Sequence, residues 1–185
     1  MNRTVSKALH FAGATVFCSV LAIGAGAATQ NQAAKHTTRT SNGYNDETSI
    51  RTAAETSMSQ IDLGKLAEEK ATDPEVKKFA QQMAEEHSKL KEELKQLGSS
   101  EHINMPTSVA RKDADSHRQL QKESGAGFDK SYTSQVASEL AKQIGEFKRG
   151  ASATTKPALK EFYERNQSTL ENELQQARQL SSRGR

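Results

Sequence analysis

Between Asp73 and Gly98, apolar side chains recur at intervals of three and four: Val76, Phe79, Ala80, Met83, Leu90, Leu94 and Leu97, with His87 on the same line. At the pitch of an α-helix this spacing draws one continuous stripe, which another element has to cover. The ends are marked as well. Asp73 offers a capping carboxylate, Pro74 fits the first helical position, and Glu75 suits the positive end of the helix dipole. Gly98 can take the left-handed conformation that ends many helices and is expected to stop this one.

Three further segments can supply the cover. Residues from about Asp46 to Ala71 lack proline and are rich in helix formers. Ile50, Ala54, Ser57, Ile61, Gly64 and Glu68 fall near one face, while Met58, Leu63 and Leu66 spread more widely, so the buried side is blurred. A third long helix is expected from Phe128 to about Arg149, burying Phe128, Tyr132, Val136, Leu140, Ile144 and Phe147. Gly150, Ser152, Thr154 and Thr155 then read as a turn, and Lys156-Pro157 opens a last helix through Leu159, Phe162, Tyr163, Leu170, Leu174, Ala177 and Leu180. No segment has the two-residue period of a strand. Four amphipathic helices have one common solution, an all-α four-helix bundle spanning residues 46–182. The long connection between the second and third long helices holds a loop at Asn104-Met105-Pro106 and a short extra helix over about Val109–Lys122, closed by Ser124-Gly125-Ala126-Gly127.

Ahead of the bundle, Arg3 and Lys7 precede an apolar run through Ile23 and the small residues Gly24-Ala25-Gly26-Ala27, the profile of a signal peptide (residues 1–27) cleaved after Ala27 or Ala28. Retention as an uncleaved anchor is the alternative, because about 20 apolar residues can span a bilayer. Cys18, the single cysteine, lies inside this run. The expected mature chain therefore has neither disulfide nor thiolate chemistry. Residues 28–45 have almost no large apolar side chain and read as a disordered leader. Taking Arg3 and Lys7 from the 26 basic residues, against 23 acidic ones, leaves a net charge of +1. No basic face is clustered as a nucleic-acid binder requires, and no later segment is apolar enough to cross a membrane.

Candidate chemistry rests on three polar side chains on or beside apolar stripes of three different helices: His87, Glu139 and Glu173. One imidazole and two carboxylates could hold Fe, Mn or Zn. Di-iron bundles, however, use Glu-x-x-His pairs. Here Ala84 stands three residues before His87, and the chain has no Glu-x-x-His. A buried histidine paired with carboxylates is the commoner arrangement. In that structural role His87→Leu is expected to be tolerated, or even stabilising if the imidazole is poorly paired, and no resident cofactor is expected. His102 in the connection and His117 on its short helix are expected to be exposed. Phosphate-loop, Gly-x-Ser-x-Gly and His-Glu-x-x-His motifs are missing. A non-enzymatic role therefore ranks first.

Several phrases together resemble a known family: Asp62-Leu63-Gly64-Lys65-Leu66-Ala67, Val76-Lys77-Lys78-Phe79-Ala80-Gln81-Gln82-Met83 running into His87-Ser88, and Ser124-Gly125 followed by Phe128-Asp129-Lys130-Ser131-Tyr132. Over about residues 48–181 the chain is similar to the domain of unknown function 4142 family, bacterial envelope proteins often labelled outer membrane proteins. The resemblance implies a ferritin-like bundle and a periplasmic or outer-membrane-associated location with some envelope partner. It brings no established reaction. Relatives commonly carry histidines on the third and fourth long helices where this chain has Glu139 and Glu173, so a ligand set drawn from the family would be altered here. A membrane-spanning barrel would need many alternating strands of about 9 to 11 residues, and the sequence has none.

Overall fold

Residues 43–183 are described by the structure, a computed structural model; the expected signal segment and the leader up to residue 42 lie outside the described residues. Among the described residues there are five helices, α1 (Asp46–Lys70), α2 (Pro74–Ser100), α3 (Arg111–Leu120), α4 (Gly125–Ala153) and α5 (Pro157–Arg183). No strand is found among the described residues, and none of their helices is long and apolar enough to cross a membrane.

The local signals act largely as the sequence suggests. Asp73 caps α2 by accepting from Glu75 N at 2.8 Å. Asn45 caps α1 by accepting from Thr48 N at 2.8 Å. The last residues of the expected leader are thus part of the fold, and Tyr44 reinforces this: its hydroxyl lies 3.0 Å from that of Tyr163, which donates to Ser49 Oγ at 2.9 Å.

Two glycines behave differently from expectation, for one reason. Gly98 does not stop α2, which continues to Ser100; the left-handed residue is His102, at φ 56°. Ile103 N then donates to Gly98 O at 2.8 Å, the six-to-one bond of a Schellman ending. Gly150 does not turn the chain either, because α4 runs on to Ala153. Both are sites of close approach: a Cβ on Gly98 would stand 2.4 Å from Met105 Sδ, and one on Gly150 would stand 2.6 Å from the Tyr163 ring. α4 also begins at Gly125, ahead of the expected Phe128.

Each long helix packs against two others, α1 against α2 and α4, and α5 against the same two. Residue pairings give the directions. Thr72 meets Asp129 while Gln60 meets Glu139, so α1 and α4 are antiparallel. Arg183 meets Glu75 while Arg165 meets Glu93, so α5 and α2 are antiparallel. Residues 71–73 and 154–156 make tight antiparallel turns within α1–α2 and α4–α5. α1 and α5 therefore run one way and α2 and α4 the other, and residues 101–124 must travel the full length of the array to connect α2 to α4. α3 lies on that path and touches α1 and α4.

The core between the helices follows the stripes, with Met83, Leu94, Val136, Leu140, Leu159 and Leu170 at most 2 % exposed. Burying each such leucine stabilises the fold by about 1.5–3 kcal/mol relative to an exposed one. Aromatic rings fill both ends: Phe79, Phe128 and Tyr132 near the α1–α2 turn, and Phe147, Phe162 and Tyr163 near the α4–α5 turn. α1 buries more than one stripe, including Ser57, Ser59, Gln60 and Leu63, because α2, α3 and α4 all contact it. Its blurred sequence pattern is the signature of that many-sided burial.

Candidate functional site

His87 stands on the α2 stripe between Met83 and Leu90 and is 1 % exposed. Opposite it on α5, between Leu170 and Ala177, Glu173 is also 1 % exposed, so it belongs to the core and not to its flank. The two come together, with His87 Nε2 3.5 Å from Glu173 Oε2. The contact is not aligned as a hydrogen bond: Nδ1 and Nε2 of His87 and Oε2 of Glu173 all lack a hydrogen-bond partner. Both residues line a hollow of about 220 Å³ between α2 and α5. At its mouth Glu93 accepts from Arg165 Nη2 at 3.0 Å and from Asn166 Nδ2 at 3.4 Å.

Tyr132 of α4 is fully buried, and its hydroxyl has no partner. Burial holds it protonated far above the ordinary tyrosine range, reinforced by the carboxylates of Glu68, Glu173 and Glu139. An isolated buried hydroxyl among negative charges has no favourable way to ionise.

Glu139, the third predicted ligand, does not join His87. It points to the α1 side of α4, where Oε2 accepts from Gln60 Nε2 at 2.8 Å and from Ser59 Oγ at 3.2 Å, and Oε1 accepts from Gln135 Nε2 at 3.0 Å. Ser59 Oγ also lies 3.0 Å from His117 Nε2, in hydrogen-bond contact with the imidazole. His117 is thereby buried beneath α3, at 9 % exposure, contrary to its expected exposure; His102 is exposed as expected. Among the described residues, no group of three His, Cys, Asp or Glu side chains is arranged to hold a metal ion.

A further buried carboxylate carried no expectation. Asp129, 8 % exposed, accepts from Thr72 N and Asp73 N, both at 3.0 Å, and from Thr72 Oγ1 at 2.6 Å, which fastens the α1–α2 turn to the start of α4. Sequence reasoning also passed over Ser59, Gln60, Gln135 and Gln143. One signal was there to use: Val136, Leu140, Gln143 and Phe147 keep a core spacing, so Gln143 occupies a position where an apolar residue is expected.

Among the described residues the fold is all-helical, and its interior holds His87 with Glu173 between α2 and α5 and Glu139 with Ser59, Gln60 and Gln135 between α1 and α4. The chain belongs to the family described as Domain of unknown function (DUF4142), whose model matches residues 27–180. No curated protein and no solved structure matches it.

Proposed function

We propose that this chain is an exported protein of the bacterial periplasm, a ferritin-like four-helix bundle that acts by binding or scaffolding in the envelope and not by catalysis. The observation that carries the non-enzymatic reading is the state of Glu139, whose two oxygens are occupied by Gln60, Ser59 and Gln135. Amides of two glutamines hold both of its oxygens, so the carboxylate is built into the packing between α1 and α4. The ferritin-like topology is supported by the helix directions and by a single long crossover between α2 and α4. Export is supported by the Arg3–Ala28 profile, and an outer-membrane association would come through a partner protein.

A second reading, binding of Fe, Mn or Zn, is favoured by one observation: the unpartnered imidazole and carboxylate of His87 and Glu173 line the same hollow. The fit is partial. Two protein donors fall short of the three or four that hold Zn firmly, so the remaining positions would have to be water or a ligand.

Fractionation of cells expressing the natural chain, with N-terminal sequencing of the recovered protein, tests export; recovery in the cytoplasm with Met1 intact would refute it. Elemental analysis of protein purified without chelator, beside the His87→Ala variant, tests the second reading. Near-stoichiometric metal lost in the variant would replace the first reading with the second, and metal in neither would retire the second.

A further inference from the structure

A groove of about 540 Å³ opens between α1, α3 and α4, away from His87 and Glu173. Phe147 lies on one wall, and Lys112, Asp113, Lys142 and Glu146 also line it. Gln143 faces it from α4 and is only 3 % exposed, yet neither Nε2 nor Oε1 of its carboxamide has a hydrogen-bond partner. The neighbouring amides of Gln60 and Gln135 both donate to Glu139, so the polar cluster beside the groove is built without Gln143. A buried amide with both ends unmade costs about 1–3 kcal/mol per group, and it stands where a leucine would extend the Val136, Leu140, Phe147 stripe.

The chemistry of the vacant pair is selective. A carboxamide presents a donor and an acceptor side by side in one plane. A carboxylate can only accept and an ammonium can only donate, so neither satisfies both atoms at once. Another amide does, through its own N–H and C=O. The surrounding charges are of both signs, suited to a ligand with one ammonium and one carboxylate end, although Lys112 Nζ already lies 3.6 Å from Asp113 Oδ1.

We infer that the groove is a binding site for a short peptide with free termini, whose backbone amide pairs with the Gln143 carboxamide beside the Phe147 ring while the rim charges receive its ends. This rests on the reading of the chain as a binding protein and names the site and ligand class.

Trialanine is the probe, titrated into the 15N-labelled full-length protein and followed by two-dimensional NMR. Saturable shifts of the Gln143 side-chain amide below about 10 mM are expected, with acetate and methylammonium giving none. Gln143→Leu should fold with equal or greater thermal stability and bind the peptide at least tenfold more weakly. Absence of saturable shifts, equal binding by Gln143→Leu, or the same shifts from acetate alone would overturn the inference. The peptide's own resonances separate this outcome from the fate of the broader reading. Bound but intact trialanine supports both; bound trialanine that is cleaved supports the groove while refuting the non-enzymatic role; no binding overturns the groove alone.

Discussion

The buried carboxylates of the core differ in how completely they are paired. On the α1 side of the core, Glu139 is surrounded by donors from three residues, and Asp129 by donors from the α1–α2 turn. On the α2–α5 side, His87 and Glu173 meet at 3.5 Å with three unpartnered atoms between them. The first arrangement returns to each carboxylate what it lost with water. The second leaves an imidazole and a carboxylate in contact without a hydrogen bond, in a region that excludes most solvent, where burying polar groups costs stability. Burial of a carboxylate is therefore not one phenomenon: at Glu139 and Asp129 it builds structure, and at Glu173 it leaves binding capacity unused.

The largest effect expected from breaking this contrast is at His87. Glu173 is fully enclosed, so His87→Leu strands a buried carboxylate and should lower stability by about 3 kcal/mol, which revises the tolerance expected from sequence. The His87→Leu, Glu173→Leu double variant should recover most of that loss or exceed the parent. A urea-unfolding double-mutant cycle measures it, and additive losses would mean that the pair is not coupled. Next come the satisfied carboxylates: Glu139→Leu and Asp129→Ala should each cost about 2 kcal/mol by orphaning their donors, with a smaller shift in either sinking the idea that these bonds organise the fold.

The smallest effect belongs to Tyr132. Its hydroxyl is buried without a partner, so Tyr132→Phe should be neutral or stabilising by less than about 1 kcal/mol at pH 7. At alkaline pH the sign is fixed by linkage. The folded chain holds the phenolic proton above the ordinary tyrosine pKa of about 10, at which the unfolded chain releases it, so stability falls as pH rises past that point. Tyr44 and Tyr163, also raised chiefly by burial, contribute to the same decline. Urea midpoints at pH 9 and pH 11 should therefore fall less for Tyr132→Phe than for the parent, and equal declines would count against this role for Tyr132.

The sequence revealed the stripes, and with them the five helices and the nearness of His87 to the core, because periodicity is written locally. It hid what depends on partners. Gly98 and Gly150 carry the signal of a helix end, but each is small because Met105 or Tyr163 approaches it, a contact that local pattern cannot register. Glu139 and Glu173 looked alike beside their stripes. Their separation depends on the rotation of α4 and α5, a few tens of degrees that three-to-four spacing does not resolve. His117 was misjudged because α3 is short and polar, and only its docking over Ser59 buries the ring.

The crossover over residues 101–124 has a consequence for how the molecule assembles. Each tight turn joins helices that are neighbours in both sequence and space, so the α1–α2 and α4–α5 hairpins can form from local contacts at little loop-closure cost. The connecting segment lies along the α1–α4 face, where α3 makes far fewer contacts with the rest of the fold than the hairpins make with each other. Backbone amides of α3 and its flanks should accordingly exchange with solvent sooner than those of the hairpins, and a chain nicked within residues 106–110 would persist as two complementary fragments held together by the core alone.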